Sequence, residues 1–206
     1  MHPTSPNSDQ RTTRQLETRR SRRARTKLVE RLKRKGIRNQ AVLDALETVP
    51  RHLFLDPEQF DNAYVDTALP IGHAQTISQP FVVALMSEML LTATKKNQRV
   101  LEIGTGCGYQ TAILSHLFDR VYSVERILSL LQRAEKNLEL LSINNATLQH
   151  GDGTTGWPGQ EIFDAIIVTA ASDNLPQPLL GLLKPDTCLI APIGVPGHQQ
   201  LTTLRN

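Results

Sequence analysis

The sequence predicts an α/β fold with a doubly wound, mostly parallel sheet, and three observations carry that prediction. From residue 99 onward short apolar runs alternate with helical patterns, as expected when each strand is followed by a crossover helix. The first run ends in Gly104-Thr105-Gly106-Cys107-Gly108, a turn that lets the backbone bend tightly and brings a ligand against bare main chain. A chain of 206 residues is the length of one ordinary domain, which leaves little room for a second.

The elements follow in order. Val100-Leu101-Glu102-Ile103 reads as a strand, and after the glycine loop comes a helix through Ala112, Ile113, Leu114 and Leu117. Val121 to Glu125 is a second strand, followed by a helix through Leu128, Leu131, Ala134, Leu138 and Leu141. Ala146 to Gln149 is a weak third strand and Ala165-Ile166-Ile167-Val168 a strong fourth. Leu175 to Leu183 reads as a short helix, Cys188 to Ala191 as a fifth strand and Leu201 to Leu204 as a further candidate. Ahead of this sheet, Leu28, Val29, Leu32, Ile37, Val42, Leu43 and Leu46, broken at Gly36, predict two short amphipathic helices. Ser78 or Gln79 before Pro80 is a helix start signal for the apolar stretch Phe81 to Leu91. The division expected is a disordered basic arm over 1–25 and one domain over 26–206. Within that domain 26–91 forms a helical cap and substrate loop, and 92–206 the cofactor-binding sheet.

Charge is distributed unevenly. Residues 1–38 hold 13 Lys or Arg against Asp9, Glu17 and Glu30, a balance of +10, while residues 39–206 hold 10 against 17, a balance of −7. The arm with Arg19, Arg20, Arg22 and Arg23 reads as solvated chain, with contact to RNA or another polyanion as the sharper alternative. No aromatic residue is interleaved there to stack on bases. No stretch is long and apolar enough for a transmembrane helix or a secretory signal, and the expected location is the cytoplasm. Cys107 and Cys188 form no disulfide framework and no zinc spacing, so no metal is expected.

In open sheets of this kind the ligand sits beyond the carboxyl ends of the strands. Gly104 to Gly108 follows the first strand, Glu125 ends the second, Gly151-Asp152-Gly153 follows the third, and Thr169-Ala170-Ala171 the fourth. Glu125 lies 21 residues beyond Gly104, the spacing at which a carboxylate holds ribose hydroxyls. The dinucleotide fingerprint requires glycine where Tyr109 stands, so an adenosine ligand without phosphates fits better. S-adenosylmethionine is such a ligand: its cationic groups suit acidic surroundings, and Asp152 is free to meet the adenine amine. The bland alternative makes Glu125 and Asp152 ordinary solvated strand ends. Cys107 reads as a small side chain in a tight loop rather than a nucleophile. His73 reads as exposed, with substrate contact as the alternative, and Trp157 as cover for an apolar edge.

These residues resemble the protein-L-isoaspartate O-methyltransferases. The resemblance runs from about Thr26 to Leu201 and is most specific at Ala63-Tyr64-Val65-Asp66, Leu69-Pro70-Ile71-Gly72 and Gln75-Thr76-Ile77-Ser78-Gln79-Pro80. Val100 to Ala112, Ser123-Val124-Glu125-Arg126, Gly151-Asp152-Gly153, Phe163-Asp164-Ala165-Ile166 and Leu183-Lys184-Pro185 follow in the family's order. It implies a Rossmann-like methyltransferase fold and transfer of a methyl group from S-adenosylmethionine to the free α-carboxylate of L-isoaspartyl residues in damaged proteins. It further implies Ser78 as the active-site serine, and Thr76, Ile77, Gly104, Thr105, Gly106, Cys107, Gly108, Glu125, Arg126, Gly151 and Asp152 at the cofactor. Tyr64, Asp66, Ser78 and Thr169 are the expected peptide-site residues, with Tyr64 equally plausible as packing. Compared with the family the C-terminal end reads as shortened, and the arm lies outside the resemblance. The competing expectations are an RNA methyltransferase guided by the arm and a truncated, inactive adenosylmethionine-binding relative.

Overall fold

The computed structural model describes residues 17–159, 161–170, 177–194 and 198–206. Helix α1 (Arg19–Arg34) starts at Thr18, whose hydroxyl accepts the Ser21 N–H at 3.1 Å, and buries Leu28, Val29 and Leu32. It ends where Gly36 takes φ +112°, a conformation that glycine adopts without strain. Helix α2 (Gln40–Thr48) is capped by the Asn39 side chain and buries Val42, Leu43, Ala45 and Leu46. Helix α1 thus begins inside the segment expected to be a disordered arm. Arg25 is only 6% exposed and its guanidinium meets Glu17 at 2.5 Å; an apolar stripe recurring every three to four residues orders this stretch despite its charge. Residues 1–16 of the expected arm lie outside the described residues.

A 3-10 turn at Arg51–Phe54 and another at Pro57–Asn62 lead to a small hairpin, β1 (Leu69–Gly72) and β2 (Gln75–Ile77). His73 and Ala74 form its two-residue turn at φ 53° and 55°, the left-handed pair that a type I′ turn requires. Helix α3 (Pro80–Ala93) follows, with proline in its first turn and buried Val83, Ala84, Met86 and Leu90.

The main sheet contains β3 (Arg99–Ile103), β4 (Arg120–Glu125), β5 (Ala146–His150), β6 (Phe163–Val168), β7 (Leu183–Ile193) and β8 (Gln200–Arg205). Its order is β5-β4-β3-β6-β7-β8. The first five strands are parallel and β8 runs antiparallel to β7. Helices α4 (Tyr109–Ser115) and α5 (Leu128–Leu140) connect β3 to β4 and β4 to β5. Alternating side chains divide the sheet into two faces. Val100, Val121, Ala165, Ile167, Cys188 and Ile190 join one cluster with all five helices. Leu101, Ile103, Ile166, Val168, Leu189 and Ala191 join a second with Trp157 and the 3-10 turn Gln177–Leu182. That turn is the described part of the helix expected at 175–183, and it is tighter than an α-helix.

The register sets the site. Ile103 pairs with both Val124 and Val168, so the carboxyl ends of β3, β4 and β6 lie level and their loops emerge side by side.

Candidate active site

The loop after β3 is held from both sides. The N–H groups of Gly104 and Thr105 donate to the Val124 carbonyl at 2.9 and 3.3 Å, and the Thr169 hydroxyl donates to the Gly104 carbonyl at 2.6 Å. Gly104 has φ +102°, and a Cβ there would stand 2.7 Å from the Thr169 hydroxyl, so only glycine fits. Gly108, at φ +90°, begins α4 with Ala134 of α5 packed against it. Asn137 of α5 donates its amide to the Cys107 carbonyl at 2.9 Å.

Beneath the loop lies a buried hydroxyl–carboxyl chain. The Thr111 and Ser123 hydroxyls donate to Glu102 Oε2 at 2.5 and 2.6 Å, and Thr105 and Ser123 share a 2.6 Å hydrogen bond. Glu102 is fully buried, its other oxygen has no partner among the described residues, and burial pushes its carboxyl up to about 8. A neutral carboxylic acid therefore supports the loop at neutral pH.

Above it opens a cavity walled by Gly104 to Cys107, by Glu125 and Arg126, by Asp152 to Thr154, by Val168 to Ala170, and by Ile71 and Gln75–Ser78 of the hairpin segment. Glu125 is 6% exposed and fixed at both oxygens: Oε2 accepts the Gly106 N–H at 2.8 Å and Oε1 the Ile127 N–H at 2.9 Å. Asp152 accepts the Thr154 N–H at 2.9 Å, which holds its carboxyl below the usual range. Cys107 is buried and its thiol is pushed up to about 11; a protonated, enclosed sulfur is no nucleophile.

The hairpin is braced against α5. Arg133 donates to the carbonyls of Ile71 at 3.3 Å and Phe54 at 3.0 Å, and Ser129 bonds His73 Nε2 at 2.8 Å. His73 is thus an anchor of the hairpin tip.

Of the expected cofactor residues, Thr76, Ile77, Gly104, Thr105, Gly106, Cys107, Glu125, Arg126 and Asp152 line this cavity. Gly108 and Gly151 stand outside its wall: Gly108 begins a helix, and the Gly151 N–H donates to the Glu125 carbonyl at 3.0 Å. Ser78 and Thr169 also line it, whereas Tyr64 and Asp66 do not. Tyr64 is buried in the cap with its hydroxyl 2.7 Å from His52 Nδ1. Asp66 accepts the Phe81 N–H at 2.8 Å and meets Lys35 Nζ at 2.5 Å, so it caps α3 from outside the helix. Helix α3 therefore has little to offer an anion beside Ser78 through its first two residues. Pro80 has no N–H, and that of Phe81 is taken. Gln79, not Ser78, occupies the N-cap position. Apolar lining by Ile71, Val83 and Leu130, with Tyr109 and Gln110 of α4, was not read from the sequence. Tyr109 carried the signal, as the side chain closing the glycine loop.

The sheet, its glycine loop and the anchored carboxylate define a Rossmann-like methyltransferase. The family model for protein-L-isoaspartate(D-aspartate) O-methyltransferase matches residues 22–206, and the chain belongs to that family. It is 50% identical over 181 residues to the protein-L-isoaspartate O-methyltransferase of Hahella chejuensis, covering 88% of this chain and 85% of that one. It is 53% identical over 174 residues to protein-L-isoaspartate O-methyltransferase 1 of Marinobacter nauticus, covering 84% and 79%. A Plasmodium falciparum crystal structure, described as a protein-L-isoaspartate O-methyltransferase in complex with S-adenosyl-L-homocysteine, superposes with a TM-score of 0.77 at 29% identity, covering 88% of this chain and 89% of that one.

Proposed function

We propose that this chain transfers a methyl group from S-adenosylmethionine to the free α-carboxylate of an L-isoaspartyl residue in a damaged protein, the first step of its repair. The observation that carries the reading is the Glu125 carboxylate, fixed at both oxygens by main-chain N–H groups in the cavity that Ser78 also lines. The donor set fits S-adenosylmethionine. A carboxylate offers about four lone-pair sites and Glu125 spends two, which leaves acceptors for a ribose diol. Asp152 stays ionised on the same wall and suits the adenine amine, and two acidic groups suit a cationic ligand.

When bound, S-adenosylmethionine supplies a methyl group on a sulfonium. Glu125, Arg126 and Asp152 would hold its adenosine portion, and Thr76, Ile77 and the loop Gly104–Cys107 would flank the rest. Ser78 orients the attacking oxygen by donating its hydroxyl, and Thr169, whose own hydroxyl is donated to the Gly104 carbonyl, offers the peptide its methyl side. No general base is required, because a carboxyl with an ordinary pKa near 4 is already ionised. What the residues supply is aim: holding an oxygen in line at about 3 Å is worth on the order of 7 to 11 kcal/mol of the barrier.

Protein rather than RNA as substrate is supported by the use the cap makes of its own basic groups. Arg25 is paired with Glu17, Arg20 with Asp61 and Lys35 with Asp66. The reaction is assigned to the cytoplasm, which the two free, buried cysteines suit. Among the described residues no helix is long and apolar enough to cross a membrane.

Two matched peptides, one with L-isoaspartate and one with aspartate, test the reading with methyl-labelled S-adenosylmethionine. Base-labile label on the isoaspartyl peptide alone is expected. Label on neither peptide, with S-adenosylhomocysteine still bound, would overturn it.

A further inference from the structure

Among the described residues Arg51 is the largest fully buried side chain, 0% exposed, and none of their ion pairs engages it. Its Nε and Nη1 have no hydrogen-bond acceptor, and Nη2 makes one long bond of 3.4 Å to the Thr67 carbonyl. The carboxylate nearby, Asp66, is committed to Lys35 and to the Phe81 N–H. A guanidinium keeps its proton in proteins, so a whole positive charge is held here at a cost that a fold does not bear without compensation. The ring of Tyr109 packs against it, 4.8 Å from guanidinium carbon to centroid. Tyr109 lines the cavity, and Thr67, which accepts the one hydrogen bond, leads into the hairpin that carries Ser78. The cavity otherwise shows Glu125 and Asp152, both unfavourable to an incoming carboxylate, and Arg126 beside Glu125.

We propose that Arg51 is a positioning residue for the substrate: its buried charge, acting through Tyr109, draws the isoaspartyl carboxylate to the Ser78 end of the cavity. This rests on the isoaspartyl reading above. The Tyr109 ring offsets part of this charge, and the bound carboxylate supplies the rest. A carboxylate that meets the electropositive edge of that ring rather than its electron-rich face lies roughly 8 Å from the guanidinium. At an effective dielectric near 20, that separation corresponds to a factor of about 30 in affinity.

The test uses the intact enzyme first, with the isoaspartyl peptide compared against its isoasparaginyl amide, which has the same shape and no charge, as competitors of methylation. Wild type is expected to bind the carboxylate peptide at least tenfold tighter; equal binding would overturn the proposal without any variant. R51M is expected to raise KM for the isoaspartyl peptide about 30-fold, to abolish the preference over the amide, and to leave S-adenosylhomocysteine affinity within twofold. R51K, which keeps the charge, is expected to retain the preference. Unchanged peptide KM in R51M, or cofactor affinity falling in step with it, would overturn the proposal, as would an R51K variant that loses the preference. Wild type that methylates no isoaspartyl peptide would instead refute the substrate reading itself.

Discussion

Replacing Glu102 with glutamine removes a buried carboxyl without emptying its place, and the consequence for stability is calculable. The carboxyl titrates at about 8 in the fold because burial disfavours its charge, against 4.5 in the exposed chain. Below pH 4.5 both states hold the proton and the group contributes nothing to the pH dependence. Between 4.5 and about 8 the unfolded chain releases the proton while the fold keeps it, so stability falls as pH rises and levels off above that window. At 1.36 kcal/mol per pH unit the whole loss is about 5 kcal/mol, of which roughly 2.5 falls between pH 6 and 9. Glutamine stays neutral throughout and keeps an acceptor for Thr111 and Ser123, while its extra N–H groups cost about 1 to 3 kcal/mol at every pH. Urea unfolding of wild type and E102Q, followed by far-UV circular dichroism from pH 6 to 9, isolates the difference, since every other group cancels. The variant is expected to gain on wild type by roughly 2.5 kcal/mol over that range. A difference that stays constant with pH would refute the neutral buried acid.

The other expectations concern the loop and hairpin. A74G relieves a left-handed alanine at φ 55° and is expected to stabilise by about 1 kcal/mol, seen as a melting temperature about 2 to 4 °C higher. G104A drives a methyl group to 2.7 Å from the Thr169 hydroxyl and is expected to weaken S-adenosylhomocysteine binding at least roughly tenfold by calorimetry. E125A leaves the Gly106 and Ile127 N–H groups without their acceptor. It is expected to lose roughly 10- to 100-fold in S-adenosylhomocysteine affinity, the worth of a hydrogen bond to a charged group. S78A is expected to lower turnover about tenfold with melting unchanged, because among the described residues no hydrogen bond engages that hydroxyl; a lowered melting temperature with full turnover would make Ser78 structural.

What could be read from the sequence is what depends on local pattern. The parallel strands were visible because buried strands are short continuous apolar runs, and the loop because three glycines with positive φ have no other economical use. Glu125 was found by spacing alone, since a fixed strand-helix-strand length delivers the second strand's end beside the first loop. The start of α1 was not visible: a dense run of arginines resembles solvated chain, and only the tertiary partners Glu17 and Asp61 show part of that charge being used.

Asp66 and Tyr64 show what such reading leaves open. Both stand in the segment most specific to the family, and a polar residue there invites a role in binding. Yet a helix that opens with proline has its first free N–H at the next residue, and that donor requires an acceptor from outside the helix. Asp66, fifteen residues upstream, supplies it, and in doing so fixes the chain on either side of Ser78. The same anchoring takes the Phe81 N–H away from an incoming carboxylate, which no sequence pattern reveals. Asp66→Asn is therefore expected to keep the fold, since an amide oxygen still accepts from Phe81. Losing the charge that meets Lys35 should leave peptide KM within about threefold, as befits a partly exposed pair. A rise of 30-fold in peptide KM, matching that expected for R51M, would put Asp66 in contact with substrate and refute its assignment as a cap.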